Sequence, residues 1–199
     1  MCIRDRYNAY GVQGIYSAPG KAVKEAYDSS GVVTNDRGIT VWLKGNRVSR
    51  NQIMAIKEES VTDQKNSLTV CLDNILRHAG ITRNTEYDLA QGKTAIQILE
   101  ENMTGVQVLD LSGCSLDAVL YYVNQDIPVL AILEDGEAVL VTGFNEFNVV
   151  IMEPSTGKLY KKGMNDATAW FAENGNHFIT YMRTCLLYTS PSPRDGLLS

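Results

Sequence analysis

Residues 129–154, VLAILEDGEAVLVTGFNEFNVVIMEP, contain three apolar runs, at 129–133, 138–141 and 149–152. A charged turn, Glu134-Asp135-Gly136-Glu137, joins the first two runs. Residues 143–148, GFNEFN, join the second and third. Short β-branched runs bounded by Gly, Asn and Asp read as neighbouring antiparallel strands. Their near-continuous apolarity predicts a sheet covered on both faces. Any functional site is then expected at an end of this sheet.

The two ends of the chain carry a different kind of information. Met1-Cys2-Ile3-Arg4-Asp5 and part of Arg6 can be back-translated as ATG TGT ATA AGA GAC A. The reverse complement reads TGT CTC TTA TAC ACA T, which encodes Cys185-Leu186-Leu187-Tyr188-Thr189 and opens a codon for Ser190. One short DNA element in opposite orientations therefore brackets the chain. It resembles the inverted end of a transposase-based sequencing adapter, with residues 190–199 as its continuation. Residues 1–6 and 185–199 are accordingly expected to be adapter-derived and are set aside from fold reasoning. The expected natural segment is 7–184, a fragment of a longer gene.

About 178 residues suffice for one good core, or for one domain and a small partner unit. Dropping Arg4, Arg6, Arg194, Asp5 and Asp195 takes the net charge from −5 to about −6. That balance, with no Lys/Arg cluster beyond Lys161-Lys162, argues against a nucleic-acid or anionic-membrane surface. No run approaches the roughly 18 apolar residues of a membrane span. Outside the adapter stretches only Cys71 and Cys114 remain, with His78 and His177 far apart. This excludes a disulfide framework and offers no metal-ligand spacing, so no cofactor or metal is expected.

Taken in order, residues 7–16 alternate and predict a strand with a Gly turn. Residues 18–29 have helical spacing, with Pro19 in the first turn and Gly31 as the stop. Residues 31–34 and 39–43 predict two strands around Asn35-Asp36-Arg37-Gly38, giving a small β-α-β-β unit over 7–55 with Trp42 as its core anchor. Residues 45–65 read as a linker with one helical turn near 53–56. Residues 66–80, NSLTVCLDNILRHAG, form the clearest helix, with Asn66 or Ser67 as cap and Gly80 as stop. Further helices are expected at 94–103, from the Ser115 cap to about 126, and at 166–173. Strands are expected at 106–111, 158–161 and 176–182. The predicted class is α+β, helices packed on an antiparallel sheet.

This order resembles the papain-like fold in its compact bacterial form. In particular, SLDAVLYYVNQDIPVLAILEDGEAVLVTGFNEFNVVIMEPSTGK, residues 115–158, is similar to the C39-like cysteine peptidases. Members of that group read as a helix, then G-x-P-V-hydrophobic, then Gly-His-hydrophobic-V-x-G-Y, then V-x-hydrophobic-x-D-P-x-x-G. The resemblance covers about 64–182 and implies a papain-like domain at 64–184. Residues 7–47 lie outside it and resemble amino-terminal segments of gut-bacterial surface or secreted proteins.

The resemblance also implies positions for a site. The family nucleophile is a Cys at the start of the first core helix, usually followed by Gly-Pro. Asn66 and Ser67 stand there instead, and Cys71 lies about one turn in, on the apolar stripe. The family's oxyanion glutamine stands about six residues before that Cys; Gln64 is seven before Cys71 and three before Ser67. The family's general base is a His opening the second hairpin strand, where this chain has Glu137. A carboxylate is too weak a base for a thiol of pKa ~8.5, and its charge opposes the thiolate. The orienting acid before Pro is matched by Glu153, with no imidazole to orient. His177 opens the last strand, and a neighbouring strand would have to bring it near Glu137; His78 sits at the wrong end of its helix. Cys114 precedes a helix N-cap, a place that lowers a thiol pKa.

Three functions arise as expectations. The first is a catalytically degenerate C39-like peptidase domain of a bacterial surface or secreted protein, binding a peptide or packing structurally against a protein. The second is an active cysteine peptidase using Cys71 or Cys114 with His177. The third is a purely structural or adhesion module.

Overall fold

Pairing begins near the amino terminus with a hairpin of β1 (Ile3–Asn8) and β2 (Gly11–Tyr16). The chain is seen here as a computed structural model that describes residues 3–8, 11–44 and 53–184, with side chains from residue 14 onward. Helix α1 (Pro19–Ser29) is next, then β3 (Val32–Thr34) and β4 (Thr40–Leu43). The unit is thus β-β-α-β-β rather than the expected β-α-β-β, with strand order β2-β1-β3-β4. The alternation at 7–16 straddles the end of one strand and the whole of the next. Strand β1 starts inside the stretch expected to be adapter-derived; a backbone ladder accepts almost any side chain, so pairing there carries no information about the codons. Pro19 sits in the first turn of α1 as expected, but Ser30, with φ 56°, takes the left-handed position expected of Gly31.

Residues 45–52 of the expected linker lie outside the described residues. The remainder, 53–65, is an extended strap and not the expected helical turn. Buried Met54 and Ile56 anchor it. The Met54 amide donates to the Thr142 carbonyl at 3.0 Å, where a bulge interrupts a strand ladder. The Val61 amide donates to the Pro154 carbonyl at 2.9 Å. The sequence here has no helical period because its partners are backbone groups of a distant sheet.

Helix α2 (Ser67–His78) is the long helix expected at 66–80, and Asn66 is its cap. Asn66 Oδ1 accepts from the Thr69 amide at 2.8 Å. Next come a short helix that the sequence did not suggest, α3 (Glu86–Ala90), and α4 (Ala95–Asn102). The α4 start is a capping box, in which Thr94 and Gln97 satisfy each other's orphan amides. Strand β5 (Val106–Asp110) leads to α5 (Leu116–Val123), capped by Ser115 as expected. The three apolar runs are β6 (Val129–Ile132), β7 (Ala138–Phe144) and β8 (Asn148–Glu153). The remaining elements are β9 (Lys158–Gly163), α6 (Met164–Glu173) and β10 (His177–Arg183). The sheet order is β5-β10-β6-β7-β8-β9, every pairing antiparallel. All residues of β7 are buried, so both faces are covered; α2 and α5 each pack on β6 and β7.

One hydrophobic cluster runs through both sheets. Trp42, only 2 % exposed, donates its indole N–H to the Ala118 carbonyl at 3.0 Å. The Tyr122 hydroxyl donates to the Val41 carbonyl at 3.2 Å. Gly20 brings α1 so close to the segment after β5 that an added Cβ would lie 3.1 Å from the carbonyl oxygens of Asp110 and Ser112. Among the described residues no helix is long and apolar enough to cross a membrane.

Two ion-pair clusters tie the loops around α2 and α4. Lys65 and Lys57 hold Glu59, and Arg83 and Lys93 hold Asp88. Arg83, with Lys93, holds the Asp88 carboxyl below its ordinary range. Burial works against the Glu59 carboxylate, but Lys57 and Lys65 outweigh it and lower its pKa too. A carboxyl with a lowered folded-state pKa contributes stability that is complete above its unfolded value and is lost as pH falls through the folded one. Chemical denaturation at stepped pH should therefore show stability level above about pH 4.3 and falling below it, past the ordinary Asp value of about 3.9. In Asp88→Asn the loss below that point should be shallower; a slope identical to that of the parent chain would rule out this contribution.

Candidate functional site

Asn66 caps α2, so Ser67 becomes the first residue of the helix proper. Its side chain turns inward, 3 % exposed, and its hydroxyl oxygen accepts the Ala138 amide at 2.9 Å. The register that pairs Leu140 with Met152 carries Ala138 level with Pro154, beyond the end of β8. The ladder has no strand partner for that amide, and the helix supplies one. The start of α2 and the start of β7 are thereby fixed against each other.

Glu137, immediately before Ala138, is exposed. Its amide donates to Asp135 Oδ1 at 3.0 Å and its carbonyl accepts from Leu133 at 2.8 Å, which closes the tight turn between β6 and β7. Gly136, at φ +83°, supplies the left-handed residue that this turn needs. Glu137, Ser67, Gln64, Asp63 and Ser155 border one open depression of about 450 Å³ at the mouth of α2. The strap residues 61–66 form its other wall.

The thiols lie elsewhere. Cys71 is fully buried in the core, and that burial, with the Glu137 carboxylate second, pushes its pKa well above the ordinary thiol value. Cys114 is also buried, and its thiol donates to the Gly20 carbonyl at 3.2 Å. Burial raises its pKa to about 12, with Lys24 opposing and Asp110 adding to the effect. The expectation that the α5 start would lower this pKa is overturned: the side chain points into the α1 contact, and desolvation exceeds any field from the helix end.

His177 pairs with Ile132, which pairs with Ala138. The imidazole therefore starts level with the β7 end but two strands away, about 10 Å at the usual spacing between strands. Its ring lies over Gly175, where an added Cβ would be 2.7 Å from Nε2. Among the described residues no hydrogen bond or ion pair joins His177 to either thiol or to Glu137. His78 Nε2 lies 2.9 Å from the Asp126 carbonyl oxygen, at the far end of α2. Glu153 ends β8 opposite Lys158, and its carboxylate accepts the Thr156 hydroxyl at 3.1 Å. Ser67, Glu137 and Gln64 are thus brought together, while Cys71, Cys114, Glu153 and His177 are not part of that depression. No three His, Cys, Asp or Glu side chains gather as a metal site among the described residues.

The sequence reading missed Asp73. It is 1 % exposed, one and a half turns along α2 from Ser67. Its Oδ1 accepts the Thr85 amide at 2.8 Å and the Thr85 hydroxyl at 3.0 Å, while Oδ2 takes the Lys65 ammonium at 2.6 Å. Lys65 in turn reaches Glu59 at 3.3 Å. This network holds the strap against α2 and so shapes the depression. Asp73 sits beside the apolar stripe of α2, where a solvated carboxylate looks the same in sequence.

A search of solved structures matches this chain to a candidate C39-like peptidase from Bacillus anthracis, with a TM-score of 0.54. The chain has a C39-like fold. The match spans 67 % of this chain and 98 % of the other, at 15 % sequence identity. No family model matches the sequence, and no curated protein matches it. In this C39-like fold the helix start and strand start expected to carry the nucleophile and the base do face each other. They present a hydroxyl bonded to backbone, and a carboxylate.

Two measurements probe this arrangement. Ser67→Ala leaves the Ala138 amide buried without an acceptor, so urea denaturation should show a loss of about 1–3 kcal/mol. A change within error would mean that another group takes the amide. Alkylation at pH 7–8, monitored site by site by mass spectrometry, should leave Cys71 and Cys114 unmodified until the protein unfolds, because both thiols titrate far above that range. Rapid labelling of either in the folded chain would contradict the burial described.

Proposed function

We propose that this is a catalytically degenerate C39-like peptidase domain that binds a peptide without cleaving it. The observation that carries the reading is the pair at the mouth of α2, Ser67 bonded to the Ala138 amide beside the exposed Glu137. Cysteine peptidase chemistry needs a thiolate, a base to make it and a cation to stabilise it. A serine hydroxyl engaged with backbone, next to a carboxylate, supplies none of these. The depression itself remains, about 450 Å³, with Asp63 and Glu137 on its rim. The negative rim groups favour a peptide with a basic residue. The resemblance to surface or secreted proteins supports placing the parent protein outside the bacterial cell or in its envelope.

The test uses one pooled peptide library in two assays. Incubation with the folded chain should yield no cleavage products by mass spectrometry, and peptides rich in Lys or Arg should be retained in equilibrium dialysis. Glu137→Lys should lower that retention about threefold or more, the effect of reversing one rim charge. Cleavage that alkylation abolishes would overturn the reading in favour of a cysteine peptidase using Cys71 or Cys114 with His177. Absence of any retention would overturn it in favour of a structural module.

A further inference from the structure

A second cavity, of about 130 Å³, lies between the amino-terminal sheet and α5, far from the mouth of α2 in the lining it uses. Its walls are aromatic. Trp42 stands between Tyr27 and Tyr121, with ring centroids 6.2 Å from each, and Phe144 lines a further side. Its polar lining includes the Asp117 carboxylate and the Asn124 amide, with the Lys44 ammonium at the edge. The Asp117 carboxylate lines it and accepts the Tyr27 hydroxyl at 2.7 Å. The Asn124 side-chain oxygen is buried and meets no donor. Helix α5 sets this arrangement, because residues 117, 121 and 124 keep the i, i+4, i+7 spacing of one face. A carboxylate, an aromatic ring and an amide oxygen therefore line up along one wall.

Each of these features selects the same partner. Ring faces carry the negative end of a quadrupole and attract weakly hydrated cations. The Asp117 carboxylate on the same wall adds a negative charge that favours a cationic guest. A metal ion would need several oxygens around it, which aromatic walls do not supply. The volume is slightly below the roughly 150 Å³ that accommodates a benzene-sized molecule. The molecule already uses this chemistry once: the Lys44 ammonium lies 4.7 Å from the Tyr27 ring centroid and donates to the Tyr27 carbonyl at 2.7 Å. Lys44 is exposed, at the rim, and its charge limits the affinity for a second cation.

We propose that this cavity binds a small organic cation, an alkylammonium group of tetramethylammonium size. The site is independent of the peptide-binding reading, since it shares no residue with the depression at α2. Isothermal titration of the full chain should show saturable binding of choline. Binding of its neutral carbon isostere, 3,3-dimethylbutan-1-ol, should be weaker by about tenfold or more. Lys44→Gln, which removes the ammonium from the Tyr27 ring, should tighten choline binding about threefold or more by removing a like charge, with the melting temperature recorded alongside. Asp117→Asn should weaken it about tenfold, with the melting temperature recorded to separate binding from folding. No saturable binding of choline would overturn the proposal. So would equal affinity for the isostere, or choline binding that Lys44→Gln leaves unchanged.

Discussion

A buried carboxylate holds the working face of this fold in place. Asp73 sits in α2 with almost no solvent contact, and the hydrogen bonds it accepts come from two other pieces of chain: Lys65 from the strap, and Thr85 from the loop before α3. A lone carboxylate at that depth would be strongly disfavoured, and removing one partner from such a pair typically costs about 3–5 kcal/mol. The Lys65 ammonium responds in kind, its pKa raised chiefly by the bond to Asp73. The strap therefore has one register against α2. Its two ends are set by backbone bonds to Thr142 and Pro154. The depression at the mouth of α2 results from these constraints.

The proposed loss of catalysis rests on the same geometry. The α2 start and the β7 start meet through one side-chain bond to backbone. Ser67 commits its hydroxyl to an amide that the strand ladder cannot reach. Glu137 closes the β6–β7 turn through its backbone and leaves its carboxylate outside. That carboxylate acts in the wrong direction for a nucleophile, since its charge adds to the burial that keeps Cys71 protonated. One turn farther into the helix, the stripe that places Cys71 in the core also denies it solvent.

Much of the sheet was legible because its signals are local. The runs at 129–133, 138–141 and 149–152 are short, apolar and separated by turn residues, and they pair as β6, β7 and β8. Caps at Asn66 and Ser115 are single-residue devices, and each helix starts directly after its cap. The strap was not legible, because its order comes from amides of Met54 and Val61 that bond to residues about ninety positions away. The roles of Ser67 and Asp73 were hidden for the same reason. Each is a polar residue in an amphipathic helix, and only the tertiary partner distinguishes a buried link from a solvated face. The expectation for Cys114 failed on a magnitude: a helix start lowers a thiol pKa, but here desolvation in the α1 contact is the larger effect.

Helix α5 connects the two halves of the molecule. One side packs on β6, β7 and β10, as an all-antiparallel sheet with both faces covered demands. The other receives Trp42 and Val41 from the amino-terminal sheet through the Ala118 carbonyl and the Tyr122 hydroxyl. Buried backbone carbonyls and a buried phenol each need a partner, so these two bonds are made only if both sheets are present. The aromatic cavity exists because of that joint: Tyr27 and Trp42 come from one side, Asp117, Tyr121 and Asn124 from the other. The depression at the mouth of α2 and the cavity assembled between two sheets are thus separate consequences of how α2 and α5 are anchored. They share no lining residue, so a change at one places no constraint on binding at the other.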